Sequence, residues 1–487
     1  MVKDYWGLWF VVVILLCPYL LLKATQVLPI PDGDSIAFYP VYISIANGDG
    51  FEHPFYYPSS DPIAVDAGPY PFKSHGWLSP FVVGNLAGLF GGEIGDVVFV
   101  EILLALFGLL AFFYCLSRSG LKNKWLGLMC GAVVFTSLDA RFGRPDLLAS
   151  VFLLIWLAFG INWRESLLEN RFMPICGCFL GLIAITQPAA AVLSSLMFLL
   201  LLVVVRPSTS IFQLLRLWVL SNTCALGLAL GLTMSFYGYP ASEWIEGILH
   251  TATLIADRDP HNEWLKYYIL SPWEIGHGFL LLLAGGCVLA SIRINDGVAW
   301  FMFLLIISWS WYMGLRIPST SYNLLMFVPV LLAIAVLFAW DARVQNQTLK
   351  TVTYVVMLIV APFSLVPMGV VAHSYIVGLE RTKAIAALEK HVITYQRKMV
   401  VPTNLFVGAF SSRALPYISL GNPVCENKGT DIVLTQANTG LVSPVCPLGS
   451  MIFKNHFSST YFSVFGISKN VVPKGYNYTI CTCGSQH

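Results

Sequence analysis

The strongest constraint in this sequence is the length of its apolar runs. A helix needs about 20 predominantly apolar residues to cross the hydrocarbon core of a bilayer. Eleven stretches approach that length: 5–22, 94–117, 125–138, 147–161, 173–186, 188–205, 213–237, 275–292, 297–315, 321–340 and 350–372. The runs at 125–138, 147–161 and 173–186 are short and are expected to extend into their flanks or to tilt. A transmembrane barrel would alternate apolar and polar residues along short strands, whereas these runs are continuous. Composition agrees. Of 487 residues, 57% are hydrophobic and 11% charged, less than half the share of about 25% charged residues in a soluble domain. That excludes an all-soluble multidomain protein and a disordered chain. With 28 Lys and Arg against 26 Asp and Glu, the formal charge is +2, and no basic face is offered to nucleic acid. The expected fold class is an all-α polytopic membrane protein.

The first run follows Lys3 without a small-residue cleavage site behind it, so it reads as a retained anchor. With the N-terminus inside, the inner loops hold ten Lys and Arg in 43 residues and the outer loops seven in 103. Positive residues resist translocation, so this orientation is the expected one. It places loops 23–76, 139–146, 238–273 and 316–320, and the C-terminus, on the outer face. The apolar piece 77–90, with Pro80, Gly84 and Gly88 inside it, reads as an interfacial or re-entrant helix.

Hydrophobic density drops after about residue 372. The tail 373–487 opens with an amphipathic stretch, Leu379 to Met399, and continues with short strand-like runs such as Met399–Val401, Ile432–Thr435 and Met451–Phe453. Its length suits a small α/β domain. Seven cysteines (Cys17, Cys115, Cys130, Cys176, Cys178, Cys224, Cys287) lie in apolar spans and read as inert core residues. The other four, Cys425, Cys446, Cys481 and Cys483, lie in the tail. Four cysteines in an extracytoplasmic domain favour disulfides, with a zinc site as the rival.

The chemistry-bearing residues are few and fall on the outer loops. Pro31-Asp32-Gly33-Asp34-Ser35 follows the first span. One of its carboxylates can act as a general base toward a hydroxyl, or the pair can hold a divalent cation with a phosphate. A polar turn explains the same residues. Asp139-Ala140-Arg141-Phe142-Gly143-Arg144-Pro145-Asp146 places four charges in a short link between spans. Such charges should face protein, water or ligand. The bland readings are a helix start for Asp146 and a snorkelling boundary for Arg141 and Arg144. Lys73-Ser74-His75 precedes the interfacial helix, loop 238–273 carries Arg258 and Lys266, and Arg316 and Tyr322 stand near the tenth span. Cations at an outer interface suit a phosphate-bearing lipid, though each taken singly is also an ordinary loop charge. His-Glu-x-x-His and a phosphate-cradling Gly-rich loop are both absent from the sequence, which argues against a zinc protease and an ATP-driven pump.

The order of several short segments carries a family resemblance. These are Asp32-Gly33-Asp34-Ser35 through Tyr39, Asn47-Gly48-Asp49-Gly50-Phe51, Lys73-Ser74-His75-Gly76-Trp77-Leu78-Ser79-Pro80, Leu89-Phe90-Gly91, Arg141 to Leu148, Ile185-Thr186-Gln187-Pro188, and Tyr322 to Pro329. Together they resemble the polytopic glycosyltransferases with lipid-linked sugar donors known as the GT-C fold. They are most similar to the branch of protein O-mannosyltransferases and aminoarabinose transferases of lipid A. Gln187 stands where that family commonly has Lys, and Gly33 separates acids that are often adjacent.

The resemblance covers about residues 1–372. It implies a transmembrane domain with juxtamembrane helices in an outer loop 23–93, followed by a small extracytoplasmic α/β domain, 373–487. It also implies a donor sugar on a polyprenyl phosphate and an acceptor glycan, glycolipid or protein, in the cytoplasmic membrane of a prokaryote. Asp34 would be the base, with Asp32 as runner-up and Asp146 as a second acid that orients Asp34 or the acceptor. Lys73 would hold phosphate, with His75, Arg141, Arg144, Arg258, Lys266, Arg316 and Tyr322 as further substrate contacts. Some members use a divalent cation, magnesium or manganese, and others none; Asp32 and Asp34 leave that open. The alternatives are a transporter or flippase for lipid-linked saccharides and a catalytically lapsed assembly protein.

Overall fold

The structure, a computed structural model, describes residues 35–53, 70–72, 76–118, 145–162, 172–205 and 209–256. In the tail it describes residues 390–394, 399–401, 418–420, 432–436, 451–455, 460–464, 467–471 and 478–483. The expected spans 5–22, 125–138, 275–292, 297–315, 321–340 and 350–372 lie outside these residues.

The described part is mostly helical. Helices α1 (Ser35–Ala46), α2 (Leu78–Gly88), α3 (Ile94–Arg118), α4 (Asp146–Asn162), α5 (Met173–Thr186), α6 (Pro188–Val205), α7 (Ile211–Phe236) and α8 (Ala241–Ala256) follow one another along the chain. Between α1 and α2 the short strands β1 (Glu52–His53) and β2 (Tyr70–Pro71) pair antiparallel. Among the described residues one helix, α7, is long and apolar enough to cross a membrane, and α2 and α5 are apolar but shorter.

Local chemistry explains where these helices begin and end. Ser210 is extended and its side chain accepts a hydrogen bond from the Gln213 N–H, which starts α7 at Ile211. Pro174 stands in the first turn of α5, where its missing N–H costs nothing. Pro188 forces Gln187 into an extended conformation, φ −149° and ψ 96°, so one apolar run becomes two helices.

Small residues set the helix crossings. On α5, a Cβ at Gly177 would lie 2.6 Å from the Cβ of Cys224, and one at Gly181 2.8 Å from the Ala225 carbonyl oxygen, both on α7. Backbones approach this closely in apolar surroundings only where side chains are small. A polar link adds to the contact between α6 and α7. Ser195 Oγ donates to Asn222 Oδ1 at 2.7 Å, and Trp218 Nε1 donates to the Ser195 carbonyl at 2.9 Å. The glycines of 77–90 act similarly. Helix α2 runs through Gly84 and Gly88, whose added Cβ atoms would meet the carbonyl oxygens of Tyr42 at 2.8 Å and Ala46 at 2.7 Å on α1. Pro80 falls in the first turn of α2 and does not break it.

In the tail, β3 (Met399–Val401), β4 (Ile418–Leu420), β5 (Ile432–Gln436), β6 (Met451–Asn455) and β9 (Tyr478–Thr482) form a five-stranded sheet in the order β4-β3-β5-β9-β6. The β3 pairings with β4 and β5 are parallel, and β9 pairs antiparallel with β5 and β6. Strands β7 (Thr460–Val464) and β8 (Ile467–Val471) make a separate hairpin. Lys390–Thr394, within the amphipathic stretch, form a π-helical turn.

Cys481 and Cys483 are both disulfide-bonded, whereas Cys176, Cys178 and Cys224 in the helices are free. The disulfides favour the first of the two sequence alternatives and suit an oxidising compartment. Alkylation of the unreduced protein is expected to leave Cys481 and Cys483 unlabelled, with labelling appearing only after reduction. Mass spectrometry of the tail peptides checks this, and labelling before reduction would contradict the disulfides.

Candidate functional site

The site is built around a turn, a strap and a helix end. After α1 the chain reverses through Gly48 and Gly50, at φ 87° and 86°. Both values lie in the left-handed region that suits glycine, which accounts for the Gly-x-Gly spacing before Phe51. The reversal buries Phe51, whose ring meets Trp77 at 5.9 Å, Phe81 at 6.1 Å and Tyr237 at 5.3 Å between centroids. The Phe51 carbonyl accepts the N–H of Phe72 at 2.9 Å, continuing the β1–β2 pairing.

The short link that carries Lys73-Ser74-His75, called the strap below, joins Phe72 to Gly76 and Trp77, and its described ends are both anchored. Its near end is held by Phe72, whose carbonyl accepts a hydrogen bond from the buried Tyr237 hydroxyl. Its far end is held twice. Trp77 Nε1 donates to Thr233 Oγ1 at 2.9 Å, and Thr233 in turn donates to the Ala229 carbonyl at 2.7 Å. Gly76 lies against the end of α5, where an added Cβ would overlap the Thr186 carbonyl and come within 2.6 Å of the Ile185 carbonyl oxygen. The Thr186-Gln187-Pro188 break thus supplies the surface on which Gly76 lies, with Gln187 itself buried.

The strap also meets the start of α1. Phe38 packs edge-on to Phe72 at 5.8 Å. Phe38 is four residues after Asp34, and Phe72 directly precedes Lys73. The neighbours in sequence of the expected base and of the expected phosphate ligand are therefore in contact. Asp32, Asp34, Lys73, His75, Arg141, Arg144, Arg258, Lys266, Arg316 and Tyr322 themselves lie outside the described residues. Asp146 is the first residue of α4, as the helix-start reading expects. Among the described residues there is no group of three or more His, Cys, Asp or Glu side chains that could hold a metal.

Just beyond the helix end, burial and the carboxylates of Glu52 and Glu243 push the pKa of Tyr239 above the ordinary phenol range.

Sequence reasoning misses Thr233 and Tyr237. A tyrosine at the end of an apolar run reads as an interfacial anchor, and only the partner, 165 residues away, reveals its second role. It misses Glu101 as well, an acid of α3 that is only 1% exposed. An acid inside an apolar run was the available signal.

No protein-family model matches the sequence, and no curated protein matches it. Among solved structures, the chain is similar to ArnT from Cupriavidus metallidurans in the apo state, with 13% identity and a TM-score of 0.60 over 99% of this chain and 98% of that one. It is also similar to the same protein bound to undecaprenyl phosphate, with 13% identity and a TM-score of 0.53 over 84% of each chain. At this identity the likeness concerns architecture, and it extends over nearly the full length of both chains: this protein has the GT-C fold.

Proposed function

We propose that this protein is an integral-membrane glycosyltransferase that moves a sugar from a polyprenyl-phosphate donor to an acceptor hydroxyl at the outer membrane face, with inversion. The observation that carries this reading is the contact between Phe38 and Phe72, which joins the segment of Asp34 to that of Lys73. A base and a phosphate ligand must flank the same anomeric carbon, so their segments have to meet. The undecaprenyl phosphate bound by ArnT from Cupriavidus metallidurans supports the choice of lipid, because a shared fold is a prior for chemistry and not its proof.

In the proposed reaction Asp34 takes the proton of the acceptor hydroxyl, with Asp32 as runner-up. The hydroxyl oxygen bonds to the anomeric carbon, and the bond from that carbon to the phosphate oxygen breaks. Polyprenyl phosphate leaves with the electron pair, its charge met by Lys73 and by the outer-face cations Arg141, Arg144, Arg258, Lys266 and Arg316. Asp146 orients Asp34 or the acceptor, and His75 and Tyr322 contact substrate. Asp32 and Asp34 would be the ligands if magnesium or manganese takes part. The outer face is supported by the denser positive charge of the inner loops and by the tail disulfides.

Mass spectrometry of glycans, glycolipids and glycoproteins from a deletion strain tests the reading. One sugar is expected to disappear from an envelope product while the polyprenyl-phosphate lipid still carrying that sugar accumulates. Loss of the same sugar with its charged carrier trapped in the inner leaflet would point to a flippase instead, and an unchanged set of products would remove the reading.

A further inference from the structure

Thr233 and Tyr237 stand four residues apart on the last turn of α7 and its cap, joined by the Tyr237 N–H to Thr233 carbonyl bond of 3.0 Å. One hydroxyl holds Trp77 and the other holds Phe72, so a single helical turn grips both ends of the strap. Only Lys73, Ser74, His75 and Gly76 lie between. Phe72 is fixed on both sides, its N–H by the Phe51 carbonyl and its carbonyl by Tyr237.

The Tyr237 ring is fully buried against Phe51, Trp77 and Tyr239. Ring packing alone would be served equally by phenylalanine. The hydroxyl has a separate task, the bond it donates to the Phe72 carbonyl.

We infer that the Tyr237 hydroxyl is a positioning group: by fixing the Phe72 carbonyl it sets where Lys73 begins, and so where the strap meets the phosphate of a polyprenyl lipid. This rests on the proposed role of the strap in holding the donor phosphate. Tyr237 acts through the strap and touches no substrate.

The test uses the full-length protein in nanodiscs, with undecaprenyl phosphate as the probe. Tyr237→Phe removes one oxygen and keeps the ring. Its dissociation constant for undecaprenyl phosphate is expected to rise about five- to tenfold, the scale of one lost hydrogen bond. In transfer assays the donor KM rises similarly while kcat stays within about twofold. In a Lys73→Ala background the same change adds nothing, because both act through one contact. Thr233→Val, which frees the Trp77 indole, is expected to act in the same direction and serves if Tyr237→Phe does not fold. Binding by either variant equal to wild type would overturn the inference, as would a loss that adds in full to that of Lys73→Ala. Wild-type protein that binds no undecaprenyl phosphate would overturn the lipid-phosphate reading itself, which separates the two failures.

Discussion

Asp34→Asn is expected to abolish sugar transfer, by about 10²–10⁴-fold, the usual contribution of a general base, while the protein stays folded in the membrane. Asparagine keeps the shape of the side chain and loses the ability to accept a proton, so the acceptor hydroxyl must attack without losing its proton. The position suits the role. Asp34 directly precedes Ser35, the first residue of α1, and one turn further on Phe38 packs against the strap. A base attached to a packed helix is held where it can act repeatedly. A membrane assay with radiolabelled donor lipid measures the effect, with Asp32→Asn in parallel. Full activity in Asp34→Asn together with loss in Asp32→Asn would move the base to Asp32, and full activity in both would remove the general base from this loop.

Gly76→Ala is expected to have the next largest effect, on binding and stability together. The new methyl group would overlap the Thr186 carbonyl and crowd that of Ile185. These are backbone atoms at a helix end fixed by Pro188, so neither can turn aside as a side chain would. Overpacking of this kind costs about 1–3 kcal/mol, and relief comes most easily by lifting the strap off α5. Donor binding should weaken about 5- to 150-fold if that whole cost falls on the bound geometry, and the thermal midpoint in detergent should fall. Gly227→Ala and Gly231→Ala are the controls. An added Cβ there meets nothing within 4 Å, and alanine is the better helix former by about 1 kcal/mol. Equal behaviour of Gly76→Ala and the two controls would mean that the strap does not need its close contact with α5.

The helices and the site were legible to different degrees for a physical reason. The runs 173–186 and 188–205 coincide with α5 and α6 because Pro188 and the flanking polar residues bound them in the local sequence. The runs 94–117 and 147–161 differ from α3 and α4 by a residue or so at their ends. Strands β3, β5 and β6 appeared as short β-branched and apolar runs for the same reason. Helix α1 was harder to read, since Pro40 lies inside it and proline ordinarily argues against a helix interior.

The strap shows what a local pattern cannot carry. Trp77 and Thr233 are 156 residues apart, and nothing near either residue names the other. Gly84 and Gly88 look like breaks in an apolar helix until α1 is seen pressed against them. The ordered motifs were nonetheless informative, because Gly48, Gly50, Phe51, Gly76 and Trp77 each have a defined packing or backbone role around one strap.

Conversion of the donor by the purified protein tests the central claim most directly. Protein in proteoliposomes would be supplied with lipid-linked sugars and an envelope acceptor fraction from the native membrane, and polyprenyl-phosphate species would be quantified by mass spectrometry. The expected result is loss of one polyprenyl-phosphate sugar, matched by an equal amount of free polyprenyl phosphate and of glycosylated acceptor, with none of the three in Asp34→Asn. Donor lipid that crosses the bilayer with its sugar still attached, or remains unchanged, would contradict it.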